Sequence, residues 1–249
     1  MNERRPLEAK INAASQAQLV FAGTFRQPDE IHLLHRGDPE QPMDEVVPAV
    51  PASLGGVSLA RDTPEQQRRL AFAKWLTDPH NPLPARVMVN RIWHYIFGTG
   101  LVATPSDFGH MGFNPTHPEL LDWLANEFIK SGWSVKHIQR LILTSRTFQQ
   151  SSVPSDPSVL SKDATNTLLW RFAPRRLDAE MIRDSILAVT GNLDLTPGGP
   201  GFMLYEPNAN YARNWIAETG DFEREDYRRM IYALKLRMEP DAIFAAFDA

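Results

Sequence analysis

A mainly helical α+β fold is what this sequence predicts, a helical core with a small sheet formed by an N-terminal hairpin and a C-terminal strand. Three observations carry that class. Between residues 60 and 150, apolar residues recur at three- and four-residue spacing in segments divided by capping residues and glycines, the pattern of short amphipathic helices. Leu19–Phe25 and Glu30–His35 are β-prone runs separated by Arg26-Gln27-Pro28-Asp29, a turn composition, so a hairpin is expected there. Met230–Met238 alternates, with Lys235 and Arg237 facing away from Met230, Tyr232, Leu234, Leu236 and Met238; a period of two means a strand, placed against the hairpin.

The elements follow in order. Residues 1–18 form a polar N-terminal segment, and residues 19–249 read as a single domain. Its first part, 19–59, is the hairpin and an extended arm, because prolines at 39, 42, 48 and 51 and glycines at 37, 55 and 56 keep the chain from regular structure. Arg36-Gly37-Asp38 matches an integrin-binding tripeptide, but it precedes Pro39 where a strand meets a turn, and the turn reading is favoured. His32 and His35 read as surface residues of a strand rather than ligands.

The helical core spans 60–150. Thr63-Pro64-Glu65-Gln66 has the form of a capping box, followed by Phe72, Ala73, Trp75 and Leu76 as a buried face. Asn81 caps a second helix over Leu83–Phe97, with Met88, Val89, Ile92, Tyr95 and Ile96 as its apolar stripe; Gly98 stops it. Loop 98–114 is rich in glycine yet carries Leu101, Val102, Phe108, Met111 and Phe113, so it is expected to be packed down. Thr116-His117-Pro118-Glu119 has the form of a second capping box, opening a helix that buries Leu120, Leu121, Leu124 and Phe128. Ser134 caps the next helix, close behind Gly132, and the two helices pack as neighbours. The third part, 165–249, holds a helix with Met181, Ile182, Ile186 and Val189 on its buried side, the breaker-dense loop 195–201, and the C-terminal strand.

Composition excludes several classes. Twenty-six Lys and Arg against 30 Asp and Glu give a net charge of -4, so no basic field draws in nucleic acid. With no cysteine there is no disulfide, thiolate metal site, cysteine nucleophile or c-type haem attachment in this chain. No stretch approaches the ~18 consecutive apolar residues of a membrane span.

The candidate chemistry clusters in two places. Arg86, Asn90 and His94 recur every fourth residue and stack on one side of the second helix. Arg91, Asp107, His110, His117 and Glu119 stand nearby in the sequence. His94, Asp107, His110 and His117 are donor types that suit Zn, Fe or Mn, but no pair has a recognised metal-motif spacing, so no metal site is expected. Arg86, Arg91, Arg175 and Arg176 offer planar forks for a carboxylate or sulfate group, as on an acidic polysaccharide, with Asn90 as a further binding candidate; Trp93, Trp123 and Trp133 would supply stacking surfaces, though core packing is the favoured reading for them. Asp107 is a candidate catalytic residue. Glu180 and Asp184, one helical turn apart, are candidate paired carboxylates, since neighbouring like charges separate an acid from a base. Arg176 before Glu180 and Arg183 beside Asp184 support the competing reading of an ion-pair ladder, which is favoured.

The residues Ala85–Trp93, Phe97–Val102, Pro105–Gly109 and Thr116–Leu124, with His35–Pro39, Arg175-Arg176-Leu177, Ile182-Arg183-Asp184 and Pro197–Pro200, together resemble the planctomycete-specific domain family, domain of unknown function fifteen fifty-three. The likeness runs from Phe21 to Phe247. It implies a C-terminal region of large exported bacterial proteins, periplasmic or cell-surface, that follows a second domain of unknown function and often a cytochrome c domain. Haem would come from that separate domain, with no cofactor in this chain. No catalytic residues are established for the family, and this chain reads as a truncated member. The expected function is a non-catalytic binding or scaffolding module. The alternative is a hydrolase or accessory enzyme acting on complex polysaccharide, sulfated forms included.

Overall fold

The structure is a computed structural model that describes residues 23–153, 156, 158–203, 205–207, 213–215 and 224–235, together with Leu7. It resolves into two compact units, Met1–Leu143 and Thr144–Ala249. The class is as the sequence predicts: among the described residues there are six α-helices and only short two-stranded antiparallel sheets.

The first unit contains the hairpin, but with a different partner strand from the one expected. β1 (His32–Leu34) pairs with β2 (Pro42–Glu45), with His32 opposite Glu45 and Leu34 opposite Pro42. Residues 23–31 precede it without strand structure, and the rest of the Leu19–Phe25 run lies outside the described residues. The turn is therefore His35–Gln41, closed by His35 N–H on the Gln41 carbonyl at 3.0 Å. Arg36 (φ 52°) and Gly37 (φ 81°) both occupy left-handed backbone. Asp38 holds the tip with both oxygens, accepting from Glu40 N–H at 3.0 Å and from the Gln41 side-chain amide at 2.8 Å. The arm beyond it is anchored where Trp75 Nε1 donates to the Leu54 carbonyl at 2.9 Å.

α1 (Glu65–Leu76) forms without the expected capping box, because Pro64 takes the cap position and has no side-chain acceptor. Thr63 serves instead through its carbonyl, which accepts from Arg68 Nε at 2.7 Å. Phe72 and Ala73 are exposed, and only Trp75 and Leu76 of the expected face are partly covered. The core of the unit is three helices: α2 (Pro82–Phe97), α3 (Pro118–Lys130) and α4 (Val135–Leu143), each packed on the other two.

Asn81 caps α2 as predicted, its Oδ1 accepting from Leu83 N–H at 3.3 Å, and Gly98 ends it in left-handed backbone at φ 88°. The buried stripe is Ala85, Val89, Ile92 and Trp93, rotated from the predicted one so that Met88 and Tyr95 face outward. α3 contributes Leu121, Leu124, Ala125 and Phe128, and α4 contributes Ile138 and Ile142. At about 1.5–3 kcal/mol for each large apolar side chain removed from water, this cluster is the main stabilising element of the unit. Ser134 Oγ accepts from His137 N–H at 3.3 Å and starts α4 as expected.

The second unit carries α5 (Val159–Lys162), α6 (Ala179–Val189), and the strand pair β3 (Tyr205–Pro207) and β4 (Arg213–Trp215). α6 exposes more of its apolar side than the sequence suggests. Ala179 is buried and Ile182 partly so, whereas Met181, Ile186 and Val189 are exposed. The predicted strand at Met230 opens as a 3-10 turn over Met230–Tyr232, because Tyr232 N–H bonds back to Arg229 and Ala233 N–H to Met230. Its bridge partner is Phe202 of the glycine-rich loop, through Phe202 N–H to Tyr232 at 3.0 Å and Leu234 N–H to Phe202 at 2.9 Å, where the sequence suggested the hairpin. Residues 236–249 lie outside the described residues.

Candidate functional site

Loop 98–114 is built around one buried amide. Asn90 is 0% exposed, and its side chain pairs with the backbone of Val102 as a strand neighbour does: Nδ2 donates to the Val102 carbonyl at 3.0 Å, and Oδ1 accepts from Val102 N–H at 2.8 Å. A Cβ on Gly100 would sit 2.5 Å from the Val102 carbonyl and within 2.8 Å of both amide atoms, so only glycine lets the loop approach this closely. Leu101 and Val102 are thereby pressed into the core, and Thr116 N–H fixes the far side on the Leu101 carbonyl at 2.9 Å. Thr116 is held in that bond, so the second capping box does not form: His117 occupies the cap position with no side-chain cap.

The rest of the loop is tied by short-range bonds. Thr104 Oγ1 donates to the Asp107 carbonyl at 2.8 Å and accepts from Phe113 N–H at 3.1 Å. Asp107 uses its carboxylate in a turn, accepting from Gly109 N–H at 2.8 Å, and Gly112 lies so close that a Cβ would be 2.2 Å from the Asp107 carbonyl. The outcome differs from a fully packed loop. Its root is buried, while Met111 is 90% and Phe113 69% exposed at its tip.

Other predicted residues of this unit have separate partners. Arg86 Nε contacts Asp122 at 2.6 Å, linking α2 to α3 on the surface. Arg91 is exposed and makes no ion pair among the described residues. His94 keeps Nδ1 away from solvent without a hydrogen-bond partner, His110 is exposed, and His117 Nδ1 lies 3.0 Å from Thr116 Oγ1. His94, Asp107, His110 and His117 do not form a set of converging metal ligands among the described residues.

In the second unit, Glu180 and Asp184 do share one groove, of about 800 Å³, with Met181, Arg229, Ile231 and Lys235. The expected ladder keeps its Arg183–Asp184 pair and is joined by longer-range pairing. Glu180 is bonded to Lys235, and Asp184 accepts from Met230 N–H at 2.8 Å and from Arg229 Nε at 3.3 Å. Arg183 stays 3.9 Å from the Asp184 carboxylate and also donates to the Arg228 carbonyl at 3.0 Å and to the Asp226 carbonyl, with its guanidinium 5.4 Å from the Phe202 ring centre. Burial lowers the Arg183 pKa, opposed by Asp184 and Asp226. Arg175 and Arg176 are exposed at the start of this segment.

Burial, the largest single influence, raises the Glu180 pKa, but the Lys235 hydrogen bond, a bond from the Glu180 backbone N–H and the Lys235 charge together outweigh it, and the net shift is downward. A carboxyl with a depressed folded-state pKa adds stability that is present above the unfolded value, near 4.5, and is lost as pH falls through the folded value. Glu180→Gln should remove that acid-limb component. Thermal melts between pH 7 and pH 3 should show the gap between wild type and variant closing as the pH drops.

The residue that sequence reasoning missed is Arg228. It is 6% exposed, and its guanidinium is caged by loop 195–201: Nη1 donates to the Pro200 carbonyl at 2.7 Å, and Nη2 to Thr196 at 3.4 Å and to Gly198. The Tyr232 ring lies 4.0 Å from it, and the Tyr232 hydroxyl accepts from Gly198 N–H at 2.9 Å. A run of two glycines and two prolines is the available signal, since such a loop turns successive carbonyls toward one donor.

These elements define a mainly helical module whose candidate polar residues are engaged mostly within the protein. The family model described as PSD1: Protein of unknown function (DUF1553) matches residues 68–249. The chain belongs to that family. No curated protein and no solved structure matches it.

Proposed function

We propose that this chain is a non-catalytic binding or scaffolding module of an exported bacterial multidomain protein of planctomycete type, acting in the periplasm or at the cell surface. Its companions in that reading are a second domain of unknown function and a cytochrome c domain, which would bring its own haem. The observation that carries the reading is the construction of loop 98–114. A buried latch and two obligatory glycines hold its root, and the tip presents Met111 and Phe113 to solvent. Ordering large apolar side chains outside a core gains nothing for folding; it lowers the entropy cost of an apolar contact with a partner. On α2, Met88, Arg91 and Tyr95 are exposed along one helical line, and Arg91 makes no ion pair among the described residues.

The test uses the full chain carrying Met111→Ser and Phe113→Ser together. The expected result is melting within about 0.5 kcal/mol of wild type, as for other exposed positions, with at least a tenfold loss of affinity for separately expressed companion domains of the family. Unchanged affinity would remove the loop from the reading.

The hydrolase alternative draws on the groove shared by Glu180 and Asp184. General-acid work needs one carboxyl held above its ordinary pKa, and Lys235 holds Glu180 below it. Turnover of a sulfated polysaccharide that disappears in Glu180→Gln at unchanged stability would favour this second reading.

A further inference from the structure

We infer that Glu30, His32 and Glu45 form a binding site for one divalent transition-metal ion on the N-terminal hairpin. One ligand atom from each of the three residues lies within 4.8 Å of the other two. The backbone enforces this. Glu30 lies two residues before His32, and His32 stands directly opposite Glu45 in the β1–β2 register. Two carboxylates and an imidazole that each bind an ion at about 2.0–2.2 Å have ligand atoms roughly 3–4 Å apart, so ordinary side-chain rotation closes the set.

Several acidic side chains of this unit are already neutralised by a partner. Glu65 is paired with Arg69, Asp78 with His80, Asp122 with Arg86 and Glu127 with Lys130. Glu30 and His32 make no hydrogen bond or ion pair among the described residues, although they converge on Glu45, and Glu45 has Arg61 as its own partner. Arg61 and the ion thus compete for the Glu45 carboxylate. The donor set selects the ion: one imidazole with two carboxylates suits Zn²⁺ or Mn²⁺, and an imidazole disfavours Mg²⁺ and Ca²⁺, which take oxygen ligands. Three protein ligands leave further coordination positions. Glu30 and Glu45 also line a groove of about 310 Å³ with Val46, Arg61 and Arg68, which opens those positions to water or an anionic group.

The experiment is calorimetric titration of the full chain with Zn²⁺, repeated with Mn²⁺ and Mg²⁺. The expected result is one Zn²⁺ per chain and no measurable Mg²⁺ binding. His32→Ala and Glu30→Gln should each weaken Zn²⁺ roughly tenfold or more, the scale seen even for groups that only support a metal ligand. Arg61→Ala should tighten binding by releasing Glu45. His35→Ala, a neighbouring exposed imidazole, should leave it unchanged. Circular dichroism of each variant keeps loss of fold distinct from loss of ligand. Zn²⁺ binding that survives His32→Ala in a folded chain, or that falls equally in His35→Ala, would overturn the site, as would the absence of any stoichiometric binding.

Discussion

Asn90→Leu should lower the stability of the first unit by about 2–4 kcal/mol, although leucine fills nearly the same space. The substitution leaves the Val102 N–H and carbonyl buried without partners, and each unsatisfied group costs roughly 1–3 kcal/mol. Gly100→Ala should produce a loss of similar size by a different route, since its Cβ would meet the Val102 carbonyl at 2.5 Å and push the loop off the latch. Because both changes break one contact, the double variant should fall well short of the sum, which a double-mutant cycle of chemical denaturation measures directly. Additive losses would mean that Gly100 and Asn90 act separately. Arg91→Ala, the next residue along but exposed, should cost little.

Arg228→Met should be the most damaging single change in the second unit, at about 3 kcal/mol or more. It removes the donors for the Thr196, Gly198 and Pro200 carbonyls and the cation over Tyr232 together. Arg228→Lys keeps the charge but replaces a planar fork with a single ammonium, and should recover only part of the loss. The readout is limited proteolysis, with new cleavage in loop 195–201 appearing well below the melting temperature of the wild type. A protected loop in Arg228→Met would show that glycine and proline geometry alone shapes it.

The helical core was legible because its signals are local. Asn81, Gly98, Gly132 and Ser134 punctuate α2 to α4 where the pattern places them, and the apolar periods of α3 and α4 identify their buried sides. Features decided by distant partners were less accessible. Asn90 reads as one of three polar residues in a helical line, and its burial depends on a loop that folds back twelve residues later. Asp184 keeps its neighbour Arg183 as a partner, yet Lys235 and Arg229 join Glu180 and Asp184 from far along the chain. Both Thr-x-x-Glu/Gln patterns fit a capping box, and both fail for the same reason. A residue after the threonine takes the cap position, Pro64 in one and His117 ahead of Pro118 in the other, and the threonine is drawn to another carbonyl or donor. The candidate site was therefore visible as a list of residues, but the division into latch, tip and ion pair was not.

The hairpin tip bears on how the tripeptide Arg36-Gly37-Asp38 should be understood. A recognition signal has to leave its acid free for a receptor, and Asp38 has committed both oxygens to Glu40 and Gln41 within its own turn. Arg36 and Gly37 are likewise held in backbone conformations that the chain reversal requires. The three residues act as an instruction for bending the chain, and an adhesion receptor would have to compete with the turn's own bonds for the carboxylate.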